Sequence, residues 1–205
     1  MFLVHGPLGL IVAHATKKIW DKDDFTSNDR ALLYSSSLVT GILPDIDLLY
    51  ALFDPQIDSH HTYITHTMLP YLIIFIIVSF ISFFLKGKLR KIVRSLNLIF
   101  ILNIFFHLIS DSIVSDIKLF YPLSNKTFSF LNESPIIQTD NPILSYFYTP
   151  ALLIFESSIF IFSLYILFKL KKDKKVFLCT FSTFAFISII ALLMVVLFLI
   201  LLTKS

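Results

Sequence analysis

Four apolar stretches, each close to the length that crosses a bilayer, decide what this chain can become. They run from Met68 to Leu85, from Ser95 to about Ser115, from Thr149 to Phe168 and from Val176 to Leu202. A spanning helix needs about 20 mostly apolar residues. Backbone groups in lipid have no water to bond, so such stretches must be helical. Composition agrees, with 56% of the 205 residues hydrophobic and a mean hydropathy of +0.82. A soluble domain of this size leaves too much surface in water to accommodate that much apolar matter. The expected fold is therefore all-α: a polytopic membrane helix bundle with four spans and up to six membrane segments.

The two additional segments, Phe2–Ile19 and Ala31–Tyr50, are about long enough to span but carry polar residues. They read either as spans or as core or interfacial helices. One membrane-embedded domain over 1–205 is expected. Residues 1–67 supply the two polar-bearing helices and an outer loop, 68–115 a helix pair, 116–148 a second outer loop and 149–205 a C-terminal helix pair. The N-terminus lacks the basic region and small-residue cleavage site of a secretory signal and is read as part of the mature chain. Trp20 and the many Phe and Tyr side chains read as lipid-facing or interfacial.

Positive charge sets the orientation. Lys17, Lys18, Lys22 and Arg30 flank the first gap; Lys86, Lys88, Arg90, Lys91 and Arg94 fill the next; Lys169, Lys171, Lys172, Lys174 and Lys175 fill the last. Cytoplasmic loops carry the excess of Lys and Arg, which assigns all three to the cytoplasm. Stretches 51–67 and 116–148 carry only Lys118 and Lys126 and fall outside. No region combines basic and aromatic residues as a nucleic-acid surface does. The lone Cys179 excludes an intramolecular disulfide.

Against this apolar background the ionisable residues stand out, because charge within a membrane helix is costly and is usually paired or functional. His107 and Asp111 are four apart in a predicted span, so they share one helix face. Asp45 and Asp47 follow Pro44 at the end of an apolar segment, an arrangement suited to a divalent cation. His61 and His66 lie in the outer loop or at the start of the next helix, and clustered imidazoles are common metal ligands. His5 begins the first segment on the same outer side. The orientation thus carries His5, Asp45, Asp47, His61, His66, His107 and Asp111 to one membrane face. His14 falls nearer the middle or the inner side, and Glu156 is a further candidate ligand or base. A His/Asp set without thiolates suits Zn²⁺ best, with Mn²⁺ or Fe²⁺ as alternatives. Such an ion supports hydrolysis, with Asp45 and Asp47 as candidate catalytic carboxylates.

The order of these motifs resembles a known family. His5, Gly41-Ile42-Leu43-Pro44-Asp45-Ile46-Asp47, His61 to Thr67, His107 to Asp111 and Leu119 to Ser124 resemble the membrane-bound metal-dependent hydrolases of the YdjM type, LexA-regulated inner-membrane proteins. The resemblance implies a bacterial inner-membrane location and a metal-dependent hydrolase. The family's Arg-Gly after the first His of its central motif is replaced here by Thr62-Tyr63. More distantly, the order of Asp, His and H-x3-D is similar to zinc-dependent phospholipase C and P1-type nucleases. Their trinuclear sites use later His residues and this chain has none after His107, so a one- or two-metal site is implied. The expected function is hydrolysis of a lipid, phosphoester or other membrane-adjacent substrate at the extracytoplasmic face. A metal or ion transporter, or a non-catalytic protein with a structural metal, are the alternatives.

Overall fold

In the computed structural model, residues 4–48, 63–130 and 148–202 are described, the last five without their side chains. Seven α-helices lie among the described residues: α1 His5–Ala15, α2 Lys17–Trp20, α3 Ser27–Gly41, α4 Leu69–Phe84, α5 Gly87–Val114, α6 Pro150–Lys169 and α7 Lys174–Leu202. Short 3₁₀ turns occupy Pro44–Asp47, Ile64–His66 and Leu170–Lys172. Extended pairing is limited among these residues to one antiparallel bridge, Ile117 to Phe128.

Among the described residues, three helical stretches are long and apolar enough to cross a membrane: Gly87–Val114, Pro150–Lys172 and Lys174–Leu197. The fourth expected span, α4, is apolar but only 16 residues long, about 24 Å at 1.5 Å per residue. Its exposed face of Ile73, Ile76, Ile77, Phe80 and Ile81 suits lipid rather than water.

The first two segments form shorter helices, α1 of 11 residues and α3 of 15. The segment from residue 2 to 19 is divided at Thr16, where α1 ends and α2 begins. α1 packs against α3, α5, α6 and α7, and most of its residues are buried, as expected of a helix apolar on nearly every side. Close approach makes this possible. A Cβ added at Gly9 would stand 2.2 Å from the Ser37 carbonyl oxygen, and one at Gly41 would stand 2.3 Å from that of His5. Small residues let helices in a bilayer come together in this way.

Trp20 departs from its expected interfacial position. It is 1% exposed, its indole N–H donates to the Ala13 carbonyl at 2.7 Å, and its ring meets Tyr34 edge-on at 5.3 Å. It packs in the main core cluster with Leu10, Leu38, Ile99 and Ile166. The satisfied N–H is what lets the indole leave the interface.

The bundle has two chemically distinct ends. α3 starts in a capping box in which the Thr26 hydroxyl accepts from the Asp29 N–H and the Asp29 carboxylate accepts from the Thr26 N–H. Around it, Lys88 pairs with Asp29, Lys91 with Asp24 and Arg30 with Asp21. Ser27 donates to Asp173 in the turn between α6 and α7. The three basic stretches therefore gather at one end. The chain then carries its His and Asp residues to the other: the start of α1, the turn after α3 and the last two turns of α5.

Candidate metal centre

Five side chains from four places in the chain converge at that second end. His5 opens α1. Asp45 sits in the 3₁₀ turn after α3. His66 closes the 3₁₀ turn before α4. His107 and Asp111 lie one turn apart on α5. One atom each from His5, Asp45, His107 and Asp111 can be chosen so that all four lie within 4.8 Å of one another. His66 Nε2 joins them at 3.5 Å from both Asp45 Oδ1 and Asp111 Oδ2.

The ring nitrogens decide the chemistry. His107 Nδ1 lies 2.7 Å from the Gly41 carbonyl oxygen. A carbonyl only accepts, so Nδ1 carries the proton and, in the neutral ring, Nε2 presents a lone pair. His66 Nδ1 lies 2.9 Å from Asp47 Oδ2 and donates to it by the same logic. Ser110 donates its hydroxyl proton to the His107 carbonyl at 2.8 Å, which leaves its oxygen to accept from His5 Nδ1 at 3.3 Å. Each imidazole is thus held through Nδ1 with Nε2 turned inward. Orientation of ligand imidazoles by an outer carboxylate or carbonyl is a recurring property of metal sites.

With neutral imidazoles the inward-facing atoms are therefore all acceptors: three Nε2 lone pairs and the oxygens of two carboxylates. His5 Nε2 and His107 Nε2 are both buried against the Asp111 carboxylate. Protonating both rings would stack two imidazolium cations, for the rings lie 3.7 Å apart at 26°. A shared cation relieves the conflict more economically.

The spacings fit one. His5 Nε2 is 3.1 Å from Asp111 Oδ1 and 3.8 Å from Asp45 Oδ2. His107 Nε2 is 3.0 Å from Asp111 Oδ2 and 3.6 Å from Asp45 Oδ1. Ligands about 2.0–2.1 Å from a tetrahedral ion stand roughly 3.4 Å from one another, in the middle of this range. The buried group could hold a metal ion. Its donors are nitrogen and oxygen only; Cys179, the lone thiol, is exposed on α7.

The surroundings are tied down. Asp47 Oδ2 also accepts from the Thr65 hydroxyl, and Tyr71 donates to the Thr65 carbonyl at 2.8 Å. The Met68 N–H bonds the Leu119 carbonyl at 2.9 Å, which fixes the start of α4 to the segment after α5. His5, His66, His107 and Asp111 are 2% exposed or less, whereas the Asp45 side chain is 17% exposed.

Of the seven residues expected from sequence, the five named above converge. Asp47 stands behind His66, with its oxygen on Nδ1 and not among the inward atoms. His61 lies outside the described residues. His14 is elsewhere, its Nδ1 3.3 Å from the Tyr34 hydroxyl. Glu156 is buried on α6, one turn from Leu152, which packs with Val4 and Val114. Sequence reasoning missed the roles of Ser110 and the Gly41 carbonyl. Gly41 is part of the G-I-L-P-D-I-D stretch that carried the family resemblance, but a backbone acceptor leaves no mark in the identity of its residue.

Comparison with family models matches residues 1–204 to the family described as YdjM inner membrane protein. The match takes in the C-terminal helix pair, beyond the motifs that suggested the family. No curated protein and no solved structure matches the chain. The wider likeness to phospholipase C and P1-type nucleases rests on motif order alone.

Proposed function

Because the chain belongs to the YdjM inner membrane protein family and is an integral membrane protein, we propose that it is a membrane-bound metal-dependent hydrolase. Its substrate is a lipid, a phosphoester or another membrane-adjacent molecule. The observation that carries this reading is the convergence of three Nε2 atoms and two carboxylates with every imidazole anchored through Nδ1. Zn²⁺ suits this donor set best, with Mn²⁺ or Fe²⁺ as alternatives.

A divalent ion there would acidify a water molecule toward neutral pH and so supply a nucleophile. The protein's own groups divide the remaining work. His5, His66, His107 and Asp111 are the buried ligands. Asp47 keeps His66 in the Nδ1–H tautomer. Asp45 is the member of the group that reaches open space, and with an ion bound it would be placed to take a proton from water and return it to a leaving group. Near-complete burial of four members would equally suit a structural metal, whose coordination sphere is closed. The exposure of Asp45 favours the catalytic reading.

The reading puts the site on the extracytoplasmic face. The three basic stretches lie at the opposite end of the bundle, and the positive-inside rule gives that end to the cytoplasm. Reporter fusions after residues 88 and 130 should report opposite sides of the membrane; the same side for both overturns the orientation. The hydrolase reading is tested by elemental analysis of the detergent-purified protein beside His107→Ala, with hydrolysis of phospholipid and phosphodiester probes assayed in parallel. Stoichiometric divalent metal in the wild type alone, with metal-dependent turnover, is the expected result. A metal-free wild type that also fails to take up added Zn²⁺, Mn²⁺ or Fe²⁺ ends the proposal.

A further inference from the structure

Between the C-terminal end of α3, the turn after it and the middle of α7 lies a cavity of about 240 Å³. Ile42 and Ile46 form one wall; Ile187, Ala191 and Met194 form the other. Among the described residues that line it, Asp45 alone is polar. The same Asp45 directs its oxygens toward His5, His66 and His107 at 3.5–3.8 Å. The apolar cavity and the polar group thus meet at one carboxylate.

We infer that this cavity seats a single hydrocarbon chain of a membrane lipid and presents the lipid's polar head to the Asp45 end. The inference rests on the hydrolase reading and names its substrate class. Three observations select this occupant. First, a water-soluble substrate would need polar groups along the walls to orient it, and the walls have none. Second, the cavity measures about 240 Å³. That is below the range of about 300–1,000 Å³ for sites that enclose a drug-sized ligand, so the space takes a segment of one chain and not a bulky ring system. Third, the rim is exposed and apolar, with Val39 47% and Ile190 39% exposed. α7 is itself a candidate span, with only 17% of its apolar window buried. A cavity with such a rim on such a helix opens sideways toward lipid tails.

A chain passing from bilayer to cavity exchanges one apolar surrounding for another, so the cavity adds little hydrophobic attraction. Its contribution is register. A chain held between α3 and α7 fixes how far its first polar atoms stand from Asp45, and positioning of that kind is itself a source of rate.

The test uses the full chain in phosphatidylglycerol nanodiscs with a sixteen-carbon fatty acid that carries a mid-chain diazirine. After photolysis, adducts are mapped by mass spectrometry and metal content is measured on the same samples. Labelling concentrated at residues 39–48 and 187–194, several-fold above the lipid-facing side of α4, is expected. Excess unlabelled palmitate should suppress it and excess hexanoate should not. Ala191→Trp, or the milder Met194→Phe if the former does not fold, should reduce cavity labelling at least fivefold while labelling on α4 and the metal content stay constant. Cavity labelling no greater than that on α4, insensitivity to palmitate, or a covalent dimer through 187–194 in place of a lipid adduct overturns the inference. The two readings fail separately. Stoichiometric metal without cavity labelling refutes the chain site and leaves the hydrolase standing. Cavity labelling on a protein that binds no metal refutes the hydrolase.

Discussion

The two ends of the bundle use the same kinds of residue to opposite effect. At the basic end, three carboxylates have met a cation of the chain's own: Asp29 with Lys88, Asp24 with Lys91, Asp21 with Arg30. At the other end, buried carboxylates meet imidazoles whose protons are already committed outward to Gly41, Asp47 and Ser110. With the rings neutral, acceptor converges upon acceptor, and a cation would balance such a group. Ion pairs between exposed groups are screened by solvent and add little stability. A desolvated acceptor cluster makes a strong demand for a cation.

Breaking the acceptor group should have the largest effect. In Asp111→Ala, metal content should fall from stoichiometric to background. Metal that binds only the folded chain raises its stability, so a chelator should lower the thermal midpoint of the wild type and leave that of Asp111→Ala unchanged.

Next comes the backbone joint that serves two ligands at once. Gly41→Ala puts a methyl 2.3 Å from the His5 carbonyl oxygen, on the residue whose own carbonyl holds His107. Metal content should fall almost as far as in Asp111→Ala. Gly6→Ala is the milder comparison, since its added Cβ meets Ile187 Cγ2 at 3.2 Å, Ile42 Cγ2 at 3.4 Å and the Leu38 carbonyl oxygen at 3.6 Å, and it should retain more of the metal.

Asp47→Asn should act at one remove. It removes the charge behind His66 and leaves all five inward groups in place, which should weaken metal affinity by about 10–100-fold, measured by competition with a chelator of known affinity.

Smallest should be Asp29→Asn at the basic end. Hydrogen bonds from Lys88 and then from Thr26 lower the Asp29 carboxyl from its ordinary 3.8 to about 2. A depressed carboxyl stabilises the fold above its unfolded value and loses that contribution as pH falls through the folded one. The variant and wild type should therefore differ slightly near neutral pH and converge between pH 4 and about 2, a difference that salt should also reduce. A large, salt-insensitive loss would contradict the contrast between the ends.

Much of this was legible from sequence, and the reasons differ by residue. The i, i+4 spacing of His107 and Asp111 places both on one face of any helix. The basic stretches assign every segment a direction, and direction alone brings His5, Asp45 and His66 to the end of α5 where those two lie. Asp45 and Asp47 were not separable, because their roles depend on the 3₁₀ turn that holds them. At three residues per turn, positions two apart point about 240° apart, so one carboxylate faces the group and the other faces His66 Nδ1. The burial of Trp20 depends on an acceptor at Ala13, which residue identity does not announce. The cavity beside Asp45 was hidden because α7 is apolar on every side, and the side that meets α3 has no signature.

The central claim is that the inward Nε2 atoms and the Asp111 carboxylate hold a divalent ion. X-ray absorption at the zinc edge of protein purified without chelator and supplied with one equivalent of Zn²⁺ tests it most directly. The account predicts a first shell of nitrogen and oxygen at about 2.0–2.1 Å, with the outer-shell scattering of several imidazoles and no sulfur, and the loss of that spectrum in His107→Ala. A sulfur shell near 2.3 Å, or a wild-type spectrum matching that of the His107→Ala protein, would contradict it.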